Sequence, residues 1–154
     1  MVQDIFNQKK KNRAGRILLD FLIYFVIIGG AVFGLPRFLS WKLNTPFPMA
    51  AITSGSMWPA LKISDLVFIQ GVNKEDIKAG DIIVYRNKIS SAFTIHRVVR
   101  IETDSITTKG DGNFKEDPPI DYEDVIGKTL TFKEKPVRIP YLGSITVFAS
   151  NFKQ

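Results

Sequence analysis

The run ILLDFLIYFVIIGGAVFGL, Ile17 to Leu35, holds nineteen residues of which only Asp20 is charged, and its reading decides the architecture. As a helix rising ~1.5 Å per residue it covers about the 30 Å of a bilayer's hydrocarbon core. Asp20 stands one turn from the basic end, where a carboxylate keeps near the head groups. Lys9, Lys10, Lys11, Arg13 and Arg16 precede the run against a single Asp4, while Phe38 and Trp41 follow it at interfacial depth. That asymmetry predicts an amino terminus in the cytoplasm and everything after about residue 40 on the far side. A cleavable signal peptide is the competing reading. The apolar run is longer than a usual h-region and begins late, which favours an uncleaved anchor. The unequal flanks argue against a core helix buried on all sides.

The net charge of the 154-residue chain is +6, which suggests a nucleic-acid partner until the charges are placed. Residues 1–16 account for +4 and residues 17–45 for +1, so residues 46–154 carry a mixed surface with a balance of only +1. No nucleic-acid partner is expected on that distribution. The length suits one domain behind the anchor. The chain has no cysteine, which excludes disulfides and thiol chemistry and leaves the redox compartment open.

Beyond the anchor the texture changes to short runs rich in β-branched and aromatic residues. LVFIQ (66–70), DIIVYR (81–86), AFTIHRVVRIE (92–102), SITTKG (105–110), VIGKTLTF (125–132) and SITVFA (144–149) are separated mostly by Gly, Asn, Asp or Pro. They predict a mainly β body, with its one membrane helix at the amino end. The organisation expected is a basic cytoplasmic segment over 1–16, a transmembrane helix over 17–35, and an extracytoplasmic β-rich domain over 36–154.

Within that body TSGSMWPA, residues 53–60, is turn chemistry: Gly allows positive φ and Pro locks its own φ at about −65°, and most serines in such a loop only cap or solvate it. Ser56 becomes a candidate nucleophile only if a base and an orienting acid can reach it. His96 is the chain's one histidine and so the one imidazole available as general base, although a lone histidine is more often a hydrogen-bonded surface residue. Strand alternation would place Thr94, His96, Val98, Arg100 and Glu102 on one face and Phe93, Ile95, Val99 and Ile101 on the other, with Arg97 breaking the pattern. Asp111, in a Gly-Asp-Gly turn, and Asp117, before two prolines, are the acid candidates; each alone is most simply a turn residue. One of them could hold the Nδ1 proton of His96 and so fix the tautomer in which Nε2 accepts the proton of Ser56.

TSGSMWPAL, AGDIIVY, TIHRVV and TTKGDGN, in that order behind one anchor, resemble the type I signal peptidases of the archaeal and endoplasmic-reticulum branch, over about Thr45 to Ser144. The resemblance implies a signal-peptidase-like β-rich catalytic domain against the membrane and a serine endopeptidase that removes signal peptides from exported preproteins after small residues at −1 and −3. It implies Ser56 as nucleophile, His96 as general base where the bacterial branch has lysine, Asp117 as the first choice of orienting acid, and Asp111 as orienting or supporting acid. The Ser54 hydroxyl joins the Ser56 backbone N–H as oxyanion donor on the same ground. No metal or other cofactor is expected. The partners implied are preprotein signal peptides, membrane lipid, and accessory subunits or the translocation machinery. The membrane is that of the cell, or of the endoplasmic reticulum if the source is eukaryotic.

Two residues depart from the family pattern. Trp58 stands where an acidic residue is common, and is read as touching lipid or lining the cleft. GDGN replaces the usual GDNN, leaving the path of the acid loop open. The apolar stretch PYLGSITVFASNF (140–152) is too short to span a bilayer and is expected to pack on the β body, touch lipid or meet a partner subunit. Two alternatives stand beside this reading: a self-cleaving repressor-type serine peptidase, which would want a lysine base and a DNA-binding head, and a non-catalytic membrane-tethered β module.

Overall fold

A computed structural model describes residues 2–88 and 92–144, with the backbone alone over 2–15. The expected strand over 144–149 and most of the apolar stretch 140–152 lie outside the described residues. The chain falls into two compact units, Met1–Leu39 and Ser40–Gln154.

The first unit is helical. Helix α1 (Val2–Gly29) passes through a π-helical turn at Gly30–Gly34 into α2 (Leu35–Lys42). The stretch able to cross a membrane by length and composition is Arg16–Lys42, and none of its most apolar window is buried. Helix is the one open-chain conformation that satisfies every backbone polar group without water, which is what a run of Leu, Ile, Phe and Val in lipid requires. Left in water, the same exposed side chains, Ile17 through Phe33, would form an apolar face far larger than a soluble surface carries.

The second unit is the expected β body. Its strands are β1 (Met49–Ala51), β2 (Leu66–Gln70), β3 (Ile82–Arg86), β4 (Phe93–Ile101), β5 (Ser105–Lys109), β6 (Ile120–Asp121), β7 (Val125–Thr129), β8 (Thr131–Phe132), β9 (Lys135–Pro136) and β10 (Arg138–Ile139). The main sheet runs β1-β2-β7-β3-β4-β5-β6, with β10 also paired to β2, and β8 and β9 form a separate hairpin. All the pairs are antiparallel.

Strand β3 is covered on both faces, which explains why DIIVYR reads as a continuous apolar run rather than an alternating one. Ile82, with Ile52, Met57, Leu61 and Val67, belongs to one buried cluster; Ile83 and Tyr85, with Ile77, Val98 and Ile106, belong to another. Alternation along β3 sends successive side chains into the two clusters.

A bulge in β4 corrects the expected faces of that strand. Val98 lies opposite Thr108 but Arg100 lies opposite Thr107, one residue short of regular register. Thr107 and Thr108 are neighbours and point to opposite faces, so Val98 and Arg100 do too. The alternation therefore holds from Phe93 to Val98 and is reset beyond it.

Thr129 in β7 is 2% exposed, and among the described residues its hydroxyl is the buried side-chain polar atom with no hydrogen-bond partner. Burying an unpaired hydroxyl is costly, so Thr129→Val raises stability by about 1 kcal/mol, read as a higher thermal midpoint of the full chain in detergent. An unchanged or lower midpoint refutes this.

Candidate active site

Ser56 sits in the turn between β1 and β2, and its neighbours nail that turn down. Ile52 before it and Met57 and Leu61 after it are buried in one cluster. Backbone bonds from Trp58 N–H to Gly55 O (3.0 Å) and from Leu61 N–H to Met57 O (2.9 Å) close the loop around the serine. Turn propensity supplies the bend, and the buried Met and Leu fix where it lies. Ser56 is left half-buried, with its Oγ 3.1 Å from Ser54 Oγ.

His96 occupies the middle of β4, opposite Ile83, and is 8% exposed. Its Nδ1 lies 2.6 Å from Asp117 Oδ2, so a neutral ring donates Nδ1–H to the carboxylate and leaves Nε2 as acceptor. His96 and Ser56 line the same cleft, of about 610 Å³, together with Ser54 and Asn113. The apolar part of its wall includes Ile52, Val84, Ile95 and the Phe47–Phe93 pair, whose ring centroids are 4.9 Å apart.

The two candidate carboxylates have different partners. Asp117 follows β5 and returns beside it, its N–H bonded to Thr108 O at 2.8 Å. Its Oδ2 accepts from His96, from the Thr108 hydroxyl at 2.7 Å and from the Tyr85 hydroxyl at 3.4 Å. Asp111 instead forms a two-pronged ion pair with Arg97, Nε to Oδ1 at 2.8 Å and Nη2 to Oδ2 at 2.7 Å, while Nη1 reaches Gly80 O at 2.7 Å. Asp111 is thus paired with Arg97, and the carboxylate bonded to His96 is that of Asp117. Asp111 ties the residue next to His96 to the loop that supports Ser56.

That loop needs its glycines. Gly112 N–H donates to Ser56 O at 2.8 Å, and a Cβ placed on Gly110 would stand 2.6 Å from the same oxygen. A Cβ on Gly112 would approach Gly55 O to 3.1 Å, so the glycine that departs from the family pattern lets the acid loop lie close on the serine turn.

The electrostatics follow the contacts. The bonds from Asp111 raise the Arg97 guanidinium above its usual range, partly opposed by desolvation, so this cation stays charged. Burial, and less strongly the nearby Asp117 charge, push the Tyr85 phenol up against the opposing bond from Thr108, so it keeps its proton at neutral pH.

Trp58 is 60% exposed, and the residues lining the cleft do not include it. Arg97, Tyr85 and Thr108 were not among the sequence candidates. Arg97 had left a trace, since a cation interrupting an alternating strand needs a partner. A tyrosine inside an apolar run likewise needs a partner for its hydroxyl once buried.

No family model matches the chain. Among curated proteins it is similar to the signal peptidase complex catalytic subunit sec11 of Sclerotinia sclerotiorum, at 31% identity over 158 positions that cover 94% of this chain and 86% of that one. The SEC11 subunit of Fusarium vanettenii is 30% identical over 142 positions, covering 84% and 79% of the two chains. Human SEC11C is 26% identical over 167 positions, covering 97% and 81%.

Proposed function

We propose, on the premise that this chain belongs to the family of signal peptidase catalytic subunits, that Ser56, His96 and Asp117 perform its reaction. The protein is a serine peptidase that removes signal peptides from preproteins. The observation that carries the residue assignment is the 2.6 Å contact between His96 Nδ1 and Asp117 Oδ2, with Ser56 in the same cleft.

In the forward step, Ser56 Oγ attacks the carbonyl carbon of the last signal-peptide residue while His96 Nε2 takes the hydroxyl proton. Asp117 holds the ring and stabilises the imidazolium that forms. The Ser56 backbone N–H and the Ser54 hydroxyl receive the oxyanion; the Ser54–Ser56 contact of 3.1 Å sets that hydroxyl beside the attacking atom. His96 then hands its proton to the departing amine of the mature protein. Water, activated by the same imidazole, releases the signal peptide from Ser56.

The edge position of β1, paired to β2 alone among the described strands, suits an extended substrate adding along Met49–Ala51 toward Ser54. Shallow pockets along that edge would admit small residues at −1 and −3. The organisation that goes with this chemistry is a cytoplasmic segment over 1–16, a span over 17–35 and a catalytic domain over 36–154 outside. Tethering the catalyst where a signal peptide's cleavage site leaves the bilayer replaces a diffusional search by proximity. All three relatives above are complex subunits by name, so accessory subunits are expected partners here too.

The test is incubation of the purified full-length chain, in detergent, with a preprotein bearing alanine at −1 and −3, and mass spectrometry of the products. A new amino terminus directly after −1 supports the assignment. Intact preprotein points to the tethered binding module, and cleavage of the chain itself points to the self-processing peptidase.

A further inference from the structure

We propose that Thr108 and Tyr85 are positioning residues for the reaction: their hydroxyls converge on the carboxylate oxygen of Asp117 that holds His96, and so set the direction in which the imidazole faces Ser56. This rests on the reading of Ser56, His96 and Asp117 as the reacting set.

Tyr85 on β3 is opposite Thr94, two residues before His96, and Thr108 on β5 is opposite Val98, two residues after it. Residues directly opposite share a face, as do residues two apart on a strand, so both hydroxyls stand on the His96 face, one from each neighbouring strand. The Thr108 hydroxyl gives its one proton to Asp117 Oδ2 at 2.7 Å, and the Tyr85 hydroxyl lies 3.3 Å from Thr108 Oγ1 and 3.4 Å from the same Oδ2. Three side chains from three adjacent strands thus meet on one oxygen.

That convergence matters because Asp117 is not on a strand. It lies in the segment between β5 and β6, where the regular backbone ladder does not fix a side chain. Thr108 grips it twice, accepting its N–H at the main chain (2.8 Å) and donating to its carboxylate. Behind it a second cavity of about 190 Å³ is lined by Tyr85, Asp117, Pro118 and Pro119. Without the two hydroxyls the carboxylate is free to turn toward that cavity and leave the Nδ1 proton of His96. Tyr85 is 2% exposed, and burial keeps its phenol protonated as a donor across the neutral range.

The test uses the full chain in detergent, with preprotein cleavage and nitrogen-15 resonances of the imidazole as readouts; one histidine in the chain makes that signal unambiguous. Thr108→Val lowers kcat about tenfold at unchanged KM and moves the Nδ1–H resonance, because a bond to a charged acceptor is lost. Tyr85→Phe moves both in the same direction by less. Thr108→Ser restores them, and Thr129→Val, an equally buried threonine away from the site, leaves both unmoved. Circular dichroism separates loss of fold in Thr108→Val, in which case Tyr85→Phe and Thr108→Ser decide. Wild-type kcat and an unmoved imidazole in Thr108→Val and Tyr85→Phe overturn the inference. Cleavage by Ser56→Ala at the wild-type rate overturns the underlying assignment instead, and this inference with it.

Discussion

Exchange of Ser56 for alanine lowers kcat for preprotein cleavage by about 10⁵- to 10⁶-fold, and His96→Ala lowers it by a similar factor. The double variant is no worse than either single one. Nucleophile and base act as a unit: without the hydroxyl there is nothing for the imidazole to deprotonate, and without the imidazole the hydroxyl is a poor nucleophile at neutral pH. Residual turnover in all three comes from binding and the oxyanion donors, so KM shifts little. Single-turnover cleavage with excess enzyme measures this without product release. Losses that multiply in the double variant would show two independent contributions and break the assignment. Restoration by His96→Lys would point to a lysine-type base.

The second large effect separates the two aspartates. Asp117→Asn lowers kcat by about 10⁴-fold, because an amide facing Nδ1 favours the wrong tautomer and leaves Nε2 carrying the proton it should accept. Asp111→Asn breaks a two-pronged ion pair to Arg97 at the base of the loop. Arg97 is about a third exposed, so solvent screens the pair and the stability cost is about 1 kcal/mol. A moderate fall in kcat accompanies it, through the hold of Gly112 on Ser56. Thermal midpoints and kcat measured together resolve the two substitutions: a rate defect far larger than the stability defect at 117, and moderate losses of both at 111. Equal rate losses at the two positions would place the orienting acid at neither in particular.

The apolar amino-terminal helix and most of the sheet were legible in the residues. Ile17–Leu35 announced itself by length and flanks, and LVFIQ, DIIVYR, AFTIHRVVRIE and SITTKG each became one strand within a residue or two of the expected bounds. VIGKTLTF was read as one run but breaks at Leu130 into β7 and β8. The other strands of two or three residues, β1, β6, β9 and β10, were not legible, since so short a run shows no period. The bulge in β4 was hidden as well, because a register shift is set by pairing across strands and leaves period-two patterning intact on either side.

The site was legible in its residue types and not in its wiring. A unique histidine and a serine in a Gly-Pro turn name the candidates, but which aspartate meets the ring depends on where the chain goes after Lys109. Gly110 and Gly112 bend it over the serine turn, and this carries Asp111 to Arg97 and brings Asp117 back to Thr108. The interruption of alternation at Arg97 held half of that answer.

The burial of β3 on both faces has a kinetic consequence for the enzyme as a whole. A strand covered on each side by a separate apolar cluster opens only when both clusters come apart, so the amides of Ile82 to Tyr85 should be among the last to exchange with deuterated solvent. His96 is laddered directly to that strand, so heat should abolish activity together with the sheet rather than ahead of it. Inactivation and melting curves that superimpose bear this out, whereas activity lost well below the melt would place the weakest point in the loops.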